Sequence, residues 1–278
     1  PRHSMKIAVL SGKGGAGKTF VAVNLAAAAK DSTYIDCDVE EPNGHLFLRP
    51  TDLTQKRVGK ALPAFDAQKC NGCRACVDHC RFNALMFIKD TPTLFAEICH
   101  SCGLCSMVCP RGAISEVAKE IGHLDIGQHG ETRVVTGILN PGEASGVGVI
   151  QAALREAGAT TIIDCPPGSA CTVMESVMDA DYCVLVVEPT AFGFHNFKMV
   201  HKLCSLLQKP MGVVINKESV AYAPLEDFLA QEQLPILARF GYDSDLAQAL
   251  ADGCLMVERE PAYARRFEAI LEKIGGAL

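Results

Sequence analysis

The stretch Ser11-Gly12-Lys13-Gly14-Gly15-Ala16-Gly17-Lys18-Thr19 decides the fold class of this 278-residue chain. The apolar run 7–10 before it predicts a β-strand, and the alanine-rich segment 20–30 after it predicts a helix. A glycine, four further residues and then Gly-Lys-Thr form the pattern of a phosphate-binding loop, which requires this order of strand, loop and helix. We therefore expect an α/β domain with a nucleotide-phosphate site at the start of its first helix.

The chemistry of this loop follows from its residue types. Glycines have no Cβ, so their backbone N–H groups can turn toward phosphate oxygens at the positive end of the following helix. The Lys18 ammonium would reach the β- and γ-phosphates, and the Thr19 hydroxyl would ligate Mg²⁺. The predicted nucleotide-binding residues of this stretch are Gly12, Lys13, Gly14, Gly15, Ala16, Gly17, Lys18, Thr19 and Phe20.

Composition limits the classes of partner. The chain carries a formal net charge of −6, which argues against a general nucleic-acid binder. It contains no apolar run of about 18 residues and no visible signal peptide, so we expect a cytoplasmic protein without a membrane span. The predicted last helix, 262–274, carries charges of both signs, which argues against binding to a membrane surface.

Eight of the fourteen cysteines fall between Cys70 and Cys109. They form two runs with the spacing C-x₂-C-x₂-C-x₃-C. The second run has the same spacing as the first and begins 29 residues after it. This spacing is typical of bacterial ferredoxins with two [4Fe–4S] clusters, in which the fourth cysteine of each run ligates the other cluster. One predicted ligand set is Cys70, Cys73, Cys76 and Cys109, and the other is Cys99, Cys102, Cys105 and Cys80.

Two other roles for these cysteines stay open. Zinc sites usually show paired C-x₂-C motifs, whereas these runs contain triplets. Disulfides are rare in a reducing compartment. The two runs also differ after their fourth cysteine, where the first has Arg81 and the second has Pro110, and this changes the local backbone donors.

Two predicted strands end in carboxylates. The run 33–38 ends in Asp36 and Asp38, and the apolar run 160–164 ends in Asp164. In an open α/β sheet, the carboxyl ends of the strands border the ligand crevice. After the cysteines, the glycine-rich region 121–137 contains short apolar pieces that predict irregular strands.

The run Lys13-Gly14-Gly15-x-Gly17-Lys18-Thr19 resembles the deviant Walker A motif of the MinD, ParA and Mrp-type ATPases and of the nitrogenase iron protein. The resemblance implies that Lys13 reaches the nucleotide of the partner subunit in an ATP-bound homodimer. It also implies that Asp38 orients the attacking water and that Asp164 holds Mg²⁺ together with Thr19. The catalytic residues implied are Lys13, Lys18 and Asp38.

The same resemblance assigns further residues around the nucleotide. Asn43 would belong to the first switch, the Gly168 N–H of the second switch would sense the γ-phosphate, and Asn216 would contact adenine. Cys171 lies seven residues after Asp164, an offset at which the nitrogenase iron protein has a ligand to a cluster shared between subunits. A packed thiol at the start of a helix is the alternative for Cys171.

These observations imply an α/β fold in which a mostly parallel P-loop NTPase domain, 1–60 and 119–278, carries an inserted small α+β ferredoxin-like domain, 61–118. We expect an Mg²⁺-dependent ATPase that couples nucleotide-driven dimer switching to electron transfer through two [4Fe–4S] clusters. Its partner would be a redox protein or a metal-cofactor protein. The alternatives are ATP-dependent assembly or carriage of metal–sulfur cofactors and a MinD/ParA-like positioning switch with structural clusters.

Overall fold

The computed structural model describes residues 5–278, so residues 1–4 of the predicted first segment lie outside it. Its strands are β1 (Met5–Leu10), β2 (Ser32–Asp36), β3 (Thr51–Phe65), β4 (Leu85–Ile88), β5 (Thr91–Leu94), β6 (Ile114–His129), β7 (Thr132–Leu139), β8 (Thr160–Asp164), β9 (Tyr182–Val187), β10 (Met211–Glu218) and β11 (Ile236–Gly241). Its helices are α1 (Lys18–Ala28), α2 (Gly44–Leu48), α3 (Ala75–Asp78), α4 (Leu104–Met107), α5 (Val147–Leu154), α6 (Cys171–Val177), α7 (Ala191–Leu206), α8 (Ala223–Gln231), α9 (Ser244–Ala251), α10 (Met256–Arg259) and α11 (Pro261–Gly275).

The main sheet has nine strands in the order β11-β10-β9-β1-β8-β2-β7-β6-β3. The seven strands from β11 to β7 are parallel. Their apolar sequences are explained by helices on both faces, because a strand covered on each side buries all of its side chains. This arrangement confirms the predicted α/β fold with a large, mostly parallel sheet.

Each face of the sheet has its own hydrophobic core. Helices α1, α9, α10 and α11 pack on one face, and α5, α6, α7 and α8 pack on the other. The parallel register aligns the ends of β2 and β8, so that Asp36 lies directly beside Asp164. Val9, near the end of β1, pairs with Asp164 on the other side. The loop after β1 and these two carboxylates therefore meet at one edge of the sheet.

The region that was expected to form irregular strands is instead a regular antiparallel hairpin of β6 and β7. Strand β6 also pairs with β3 over most of its length, which makes a long two-stranded ribbon at the sheet edge. The prediction missed this pairing because β3 is largely exposed and has no simple apolar alternation. The domain boundaries predicted at 61 and 118 fall inside β3 and β6, and the cysteine loops lie at the far end of the ribbon.

The C-terminal helix α11 buries its apolar face in the protein core. Phe267, Ile270 and Ile274 are fully buried, and Phe267 packs edge-on against Phe20 with ring centroids 5.7 Å apart. The Phe20 side chain therefore belongs to the core, and only its backbone can face a bound nucleotide. Among the helices of residues 5–278, none combines the length and the apolar character needed to cross a membrane.

Truncation of the buried aromatic ring of α11 should destabilise the fold. We expect Phe267→Ala to lower the free energy of unfolding by about 3–5 kcal/mol, because it removes a large side chain and leaves a cavity. Chemical denaturation under anaerobic conditions measures this loss. The control is Leu206→Ala, since Leu206 is 72% exposed; equal losses in both variants would contradict this packing.

Candidate functional site

The loop between β1 and α1 has the backbone conformation of a phosphate cradle. Gly15 and Gly17 adopt φ values of 80° and 94°, which side chains with a Cβ rarely adopt. A Cβ on Gly17 would lie 2.0 Å from the amide nitrogen of Asn216, so only glycine fits there. Around Gly14 and Gly15 the space is open. The loop thus leaves room for an anion in front of the first turn of α1.

A buried ion pair closes the base of this loop. The Lys18 ammonium contacts an Asp164 carboxylate oxygen, and both side chains are almost completely buried. Burial lowers the pKa of Lys18, but the adjacent Asp164 charge outweighs this effect and holds the pKa above its ordinary value. The Tyr34 hydroxyl donates a hydrogen bond of 2.8 Å to the other Asp164 oxygen. Lys18 therefore stays charged and points to the place where phosphate would bind.

Asp36 also belongs to this site, although the sequence analysis assigned no role to it. Its carboxylate is fully buried and accepts N–H bonds from Asp38 (3.1 Å), Asn43 (3.2 Å) and Gly44 (3.0 Å). Burial and the charge of Asp164 raise the pKa of Asp36 to about 7, although Lys18 opposes the shift. Asp36 thus holds the segment before α2 next to Asp164. An acidic residue in the last position of an otherwise buried strand is the signal that could have identified it.

The residues predicted for the first switch lie next to this network. Asp38 is half-buried, and burial raises the pKa of its carboxyl while Lys18 opposes that shift. Asn43 is exposed, and its side chain makes no capping bond at the start of α2. Both side chains therefore border the crevice with polar groups that the protein itself has not saturated.

Lys13 is held by groups of its own subunit. Its ammonium lies 2.9 Å from a Glu188 carboxylate oxygen and 5.1 Å from the centre of the Phe192 ring. Both contacts are partly exposed, so they hold the side chain weakly. Lys13 would have to leave Glu188 in order to reach a neighbouring subunit.

Near the end of β10, two side chains donate hydrogen bonds to backbone carbonyl groups of the phosphate loop. The Asn216 amide donates to the Ala16 carbonyl at 2.9 Å, and the Lys217 ammonium donates to the Gly15 carbonyl at 2.7 Å. The sequence did not predict the contact of Lys217. In the second switch segment, the Gly168 N–H donates to the Ser11 carbonyl at 3.1 Å. That bond must open before Gly168 can contact a phosphate.

The two cysteine runs fold into matching loops. Helices α3 and α4 occupy equivalent positions, 29 residues apart, and both begin after a residue with positive φ. The positive-φ positions also correspond between the copies, with glycine in only one member of each pair. The pairs are Gly72 and Ser101, Arg74 and Gly103, and Asn83 and Gly112. Left-handed backbone at Arg74, Asn83 and Ser101 costs free energy, which is typical of loops that wrap a ligand.

One cavity is lined by all four cysteines of a predicted ligand set, Cys80, Cys99, Cys102 and Cys105. Backbone N–H groups donate to three of the eight sulfurs: Ala84 to Cys80 at 3.3 Å, Ser101 to Cys99 at 3.5 Å, and Ala113 to Cys109 at 3.3 Å. Burial raises the pKa of the Cys76 thiol, and nearby Cys105 and Cys109 add to the shift. Cys76 of the first run therefore lies near cysteines of the second run, so the two cysteine loops pack against each other.

The alternatives for these cysteines can be compared with the geometry. All fourteen cysteines lie in the described residues, and each is a free thiol. Within residues 5–278, no three Cys, His, Asp or Glu side chains converge on the position of a single metal ion. A [4Fe–4S] cluster is larger than one ion, so its ligands surround a volume, as the four cysteines around the cavity do.

Cys171 lies apart from the cysteine loops, at the first position of α6 and directly after the second switch segment. It is exposed, whereas Cys37, Cys165, Cys183 and Cys204 are buried. The Cys171 side chain is therefore not packed in the core, which was the alternative interpretation of this cysteine.

Relatives of this chain have been found among archaeal proteins. Two uncharacterized proteins of Methanocaldococcus jannaschii are 26% identical over 97% of this chain and 96% of the relative, and 27% identical over 78% and 81%. An uncharacterized ferredoxin of the same organism is 38% identical over 53 residues, which is 18% of this chain and 69% of the ferredoxin.

Solved structures share the fold at low sequence identity. The cell division ATPase MinD of Pyrococcus furiosus has a TM-score of 0.60 with 17% identity, over 99% of this chain and 100% of MinD. MinD of Pyrococcus horikoshii, complexed with Mg-ADP, has a TM-score of 0.58 with 16% identity, over 97% and 95%. The family model of the CobQ/CobB/MinD/ParA nucleotide-binding domain matches residues 7–255. With the phosphate loop, its buried lysine and the parallel sheet in place, this chain belongs to the CobQ/CobB/MinD/ParA family of nucleotide-binding domains.

Proposed function

We propose that this protein hydrolyses Mg·ATP as a homodimer and thereby controls electron transfer through two [4Fe–4S] clusters bound by residues 61–118. The observation that carries the proposal is the continuous connection between the two parts. Helix α2 follows the first switch, and after Arg49 and Pro50 the chain runs along β3 into the first cysteine loop. A movement of the first switch would thus reach the cysteines along the hydrogen-bonded ribbon of β3 and β6.

The nucleotide-binding residues divide the work of phosphoryl transfer. Incoming phosphate would displace Asp164 from Lys18, and the freed Asp164 carboxylate and the Thr19 hydroxyl are the groups that would hold Mg²⁺. Asp38 orients the attacking water at the edge of the crevice. Lys13, released from Glu188, adds positive charge from the partner subunit where negative charge develops.

The remaining contacts report which nucleotide is bound. Gly168 exchanges its bond with the Ser11 carbonyl for the γ-phosphate, and Asn43 moves with the first switch. The Asn216 amide oxygen is free to face the adenine ring, because only its nitrogen is used by the loop. The hydrogen bond from Tyr34 holds Asp164 in place when phosphate takes over its contact with Lys18.

Three observations support two [4Fe–4S] clusters: strained backbone in both cysteine loops, N–H donors to sulfur, and a cavity lined by the four cysteines of one set. One set is Cys70, Cys73, Cys76 and Cys109, and the other is Cys80, Cys99, Cys102 and Cys105. Clusters in these sites would supply one-electron transfer. We propose a redox protein or a metal-cofactor protein as the partner that receives the electron.

The exposure of Cys171 favours a second candidate, ATP-dependent assembly of a metal–sulfur cofactor. In this function Cys171 and its counterpart in the partner subunit would hold a labile cluster near the second switch. The two functions differ in iron content. Iron beyond that of two clusters per chain, lost in Cys171→Ser, would support assembly.

Two lysine variants separate nucleotide binding from hydrolysis. We expect Lys18→Ala to lose nucleotide binding, because the loop then lacks its buried phosphate-binding charge. We expect Lys13→Ala to retain binding but to lower kcat by about 10³-fold or more, since it removes transition-state charge from the partner subunit. Calorimetry and phosphate release measure the two quantities, and full turnover by Lys13→Ala would contradict its role in trans.

Mixing the two inactive variants provides the control for action in trans. A mixed dimer contains one subunit that binds ATP and one intact Lys13 that faces it. Turnover should therefore reappear on mixing, whereas neither variant alone is active. If Lys13 acts within its own subunit, the mixture stays inactive.

The buried Asp36 predicts a pH dependence of stability in the nucleotide-free protein. Its carboxyl titrates at about 7 in the fold and near 4 in an unfolded chain. The folded state therefore binds the proton more tightly, and the stabilisation is complete below pH 4 and lost as pH rises through 7. The unfolding free energy should fall by at most about 1.4 kcal/mol per pH unit between pH 5 and 7.

Anaerobic denaturation of the wild type and of Asp36→Asn at several pH values checks this dependence. The variant should show a shallower slope, because its side chain does not titrate. Asp227→Asn is the matched control, since Asp227 is exposed on α8. Identical slopes for Asp36→Asn and the wild type would exclude Asp36 as the titrating group.

The metal content distinguishes clusters from zinc. After anaerobic reconstitution we expect about eight irons and about eight sulfides per chain, because two complete cysteine sets are present. Cys105→Ser should remove about half of both. About two zinc ions per chain and no sulfide would replace the ferredoxin interpretation.

A further inference from the structure

We propose that Ser101 and Ser106 donate hydrogen bonds to sulfur atoms of the cluster held by Cys80, Cys99, Cys102 and Cys105, and that they set its reduction potential above that of the other cluster. The inference rests on the two clusters of the proposed function. It adds that the two clusters differ in reduction potential, so that a single electron resides on the cluster with the higher potential.

The starting observation is a pair of buried hydroxyl groups without partners. The oxygens of Ser101 and Ser106 are inaccessible to solvent and have no partner within ordinary hydrogen-bond geometry among the described residues. The Ser106 hydroxyl nevertheless favours the thiolate of its neighbour Cys105 and opposes the rise in the pKa of that thiol that burial causes. A buried polar atom without a partner costs about 1–3 kcal/mol, so such atoms usually indicate a missing ligand. Among the described residues, one other buried side-chain polar atom lacks a partner, Nδ1 of His45, which lies on α2 and far along the chain from the cysteines.

In the chain, both serines are neighbours of cysteines from the same ligand set. Ser101 lies between Cys99 and Cys102 and lines the cavity that these cysteines share. Ser106 follows Cys105 on α4. A serine O–H is a donor, and cysteinyl or inorganic sulfur in the cavity would be the acceptor. The fit explains why two hydroxyls are buried where the described residues offer them no partner within ordinary hydrogen-bond geometry.

The internal repeat supplies the comparison. The position of Ser101 corresponds to Gly72 in the first run, and the position of Ser106 corresponds to Val77. The equivalent helices and positive-φ residues show that these pairs occupy the same places in their loops. The cluster of Cys70, Cys73, Cys76 and Cys109 therefore has no hydroxyl donor at either place.

Hydrogen bonds to sulfur affect the two oxidation states differently. Reduction adds negative charge to the sulfurs, so a donor stabilises the reduced state more and raises the reduction potential. Two charged residues lie near the same cluster: Arg81, which follows Cys80 where Pro110 follows Cys109, and Glu116, which lines the cavity. Both side chains are exposed, so water screens their opposite charges and the buried hydroxyls remain the main difference between the two sites.

The position of the cluster with the higher reduction potential determines where a redox partner would take up the electron. Its loop residues Cys99 and Ser101 line a groove whose other wall includes Lys60, Gln151 and Arg155. Gln151 lies on α5 of the nucleotide-binding domain. An electron that enters the pair thus settles beside that domain, where a nucleotide-dependent movement of the ribbon can change the access of a redox partner.

The test exchanges the serines for the residues of the first run. In the anaerobically reconstituted full chain, Ser106→Val and Ser101→Gly should each shift the reduced-to-oxidised ratio of one cluster about tenfold toward oxidised, which is about 59 mV for one electron. Ser101→Gly keeps the backbone conformation, because glycine tolerates the φ of 52°. Ser106→Ala serves as a second variant in case valine disturbs α4.

The reciprocal variant Val77→Ser is the matched control, since it should raise the reduction potential of the other cluster. Redox titration followed by electron paramagnetic resonance measures both clusters separately. Unchanged potentials in the serine variants with a full iron content would overturn this proposal and leave the proposed function intact. A wild-type protein that binds no [4Fe–4S] cluster would overturn both.

Discussion

The nucleotide site depends on one buried ion pair, that of Lys18 and Asp164. Its two residues are far apart in the chain, and the side chains are 7% and 0% exposed. Removing two charges from water is costly unless each is paired and hydrogen-bonded, and here Tyr34 completes the bonding of the carboxylate. In the proposed function, phosphate would replace Asp164 beside Lys18, and Mg²⁺ would replace Lys18 beside Asp164. The ion pair thus neutralises both buried charges in the nucleotide-free protein.

The second carboxylate connects this pair to the rest of the molecule. Asp36 accepts the N–H groups of Asn43 and Gly44, so the start of α2 is anchored to the same buried charges as the phosphate loop. From α2 the chain passes into β3, and β6 brings it back from the cysteine loops. Any change of charge at Asp164 thus acts on a segment that leads directly to the cysteines. This arrangement gives the proposed coupling a physical route.

The cysteine loops show how a repeated sequence can produce two similar but unequal sites. The equal spacing of the cysteines produces equal turns, because the same positions take positive φ in each copy. The side chains at several equivalent places differ between the copies, and with them the hydroxyl groups that could donate to a cluster. Ser101 and Ser106 in one copy, against Gly72 and Val77 in the other, are the difference that matters for the proposed electron order.

The sequence by itself determined the phosphate loop, the parallel strands and the cysteine repeat, because each depends on neighbouring residues: glycines that permit a turn, apolar runs that bury strands, and cysteines at fixed spacing. Only the tertiary structure decided which distant groups meet. It placed Asp36 beside Asp164, paired Lys13 with Glu188, brought Lys217 to the phosphate loop and joined β3 to β6 in a ribbon. These contacts depend on strand order and register, which arise from the packing of the whole sheet and leave no local pattern in the chain.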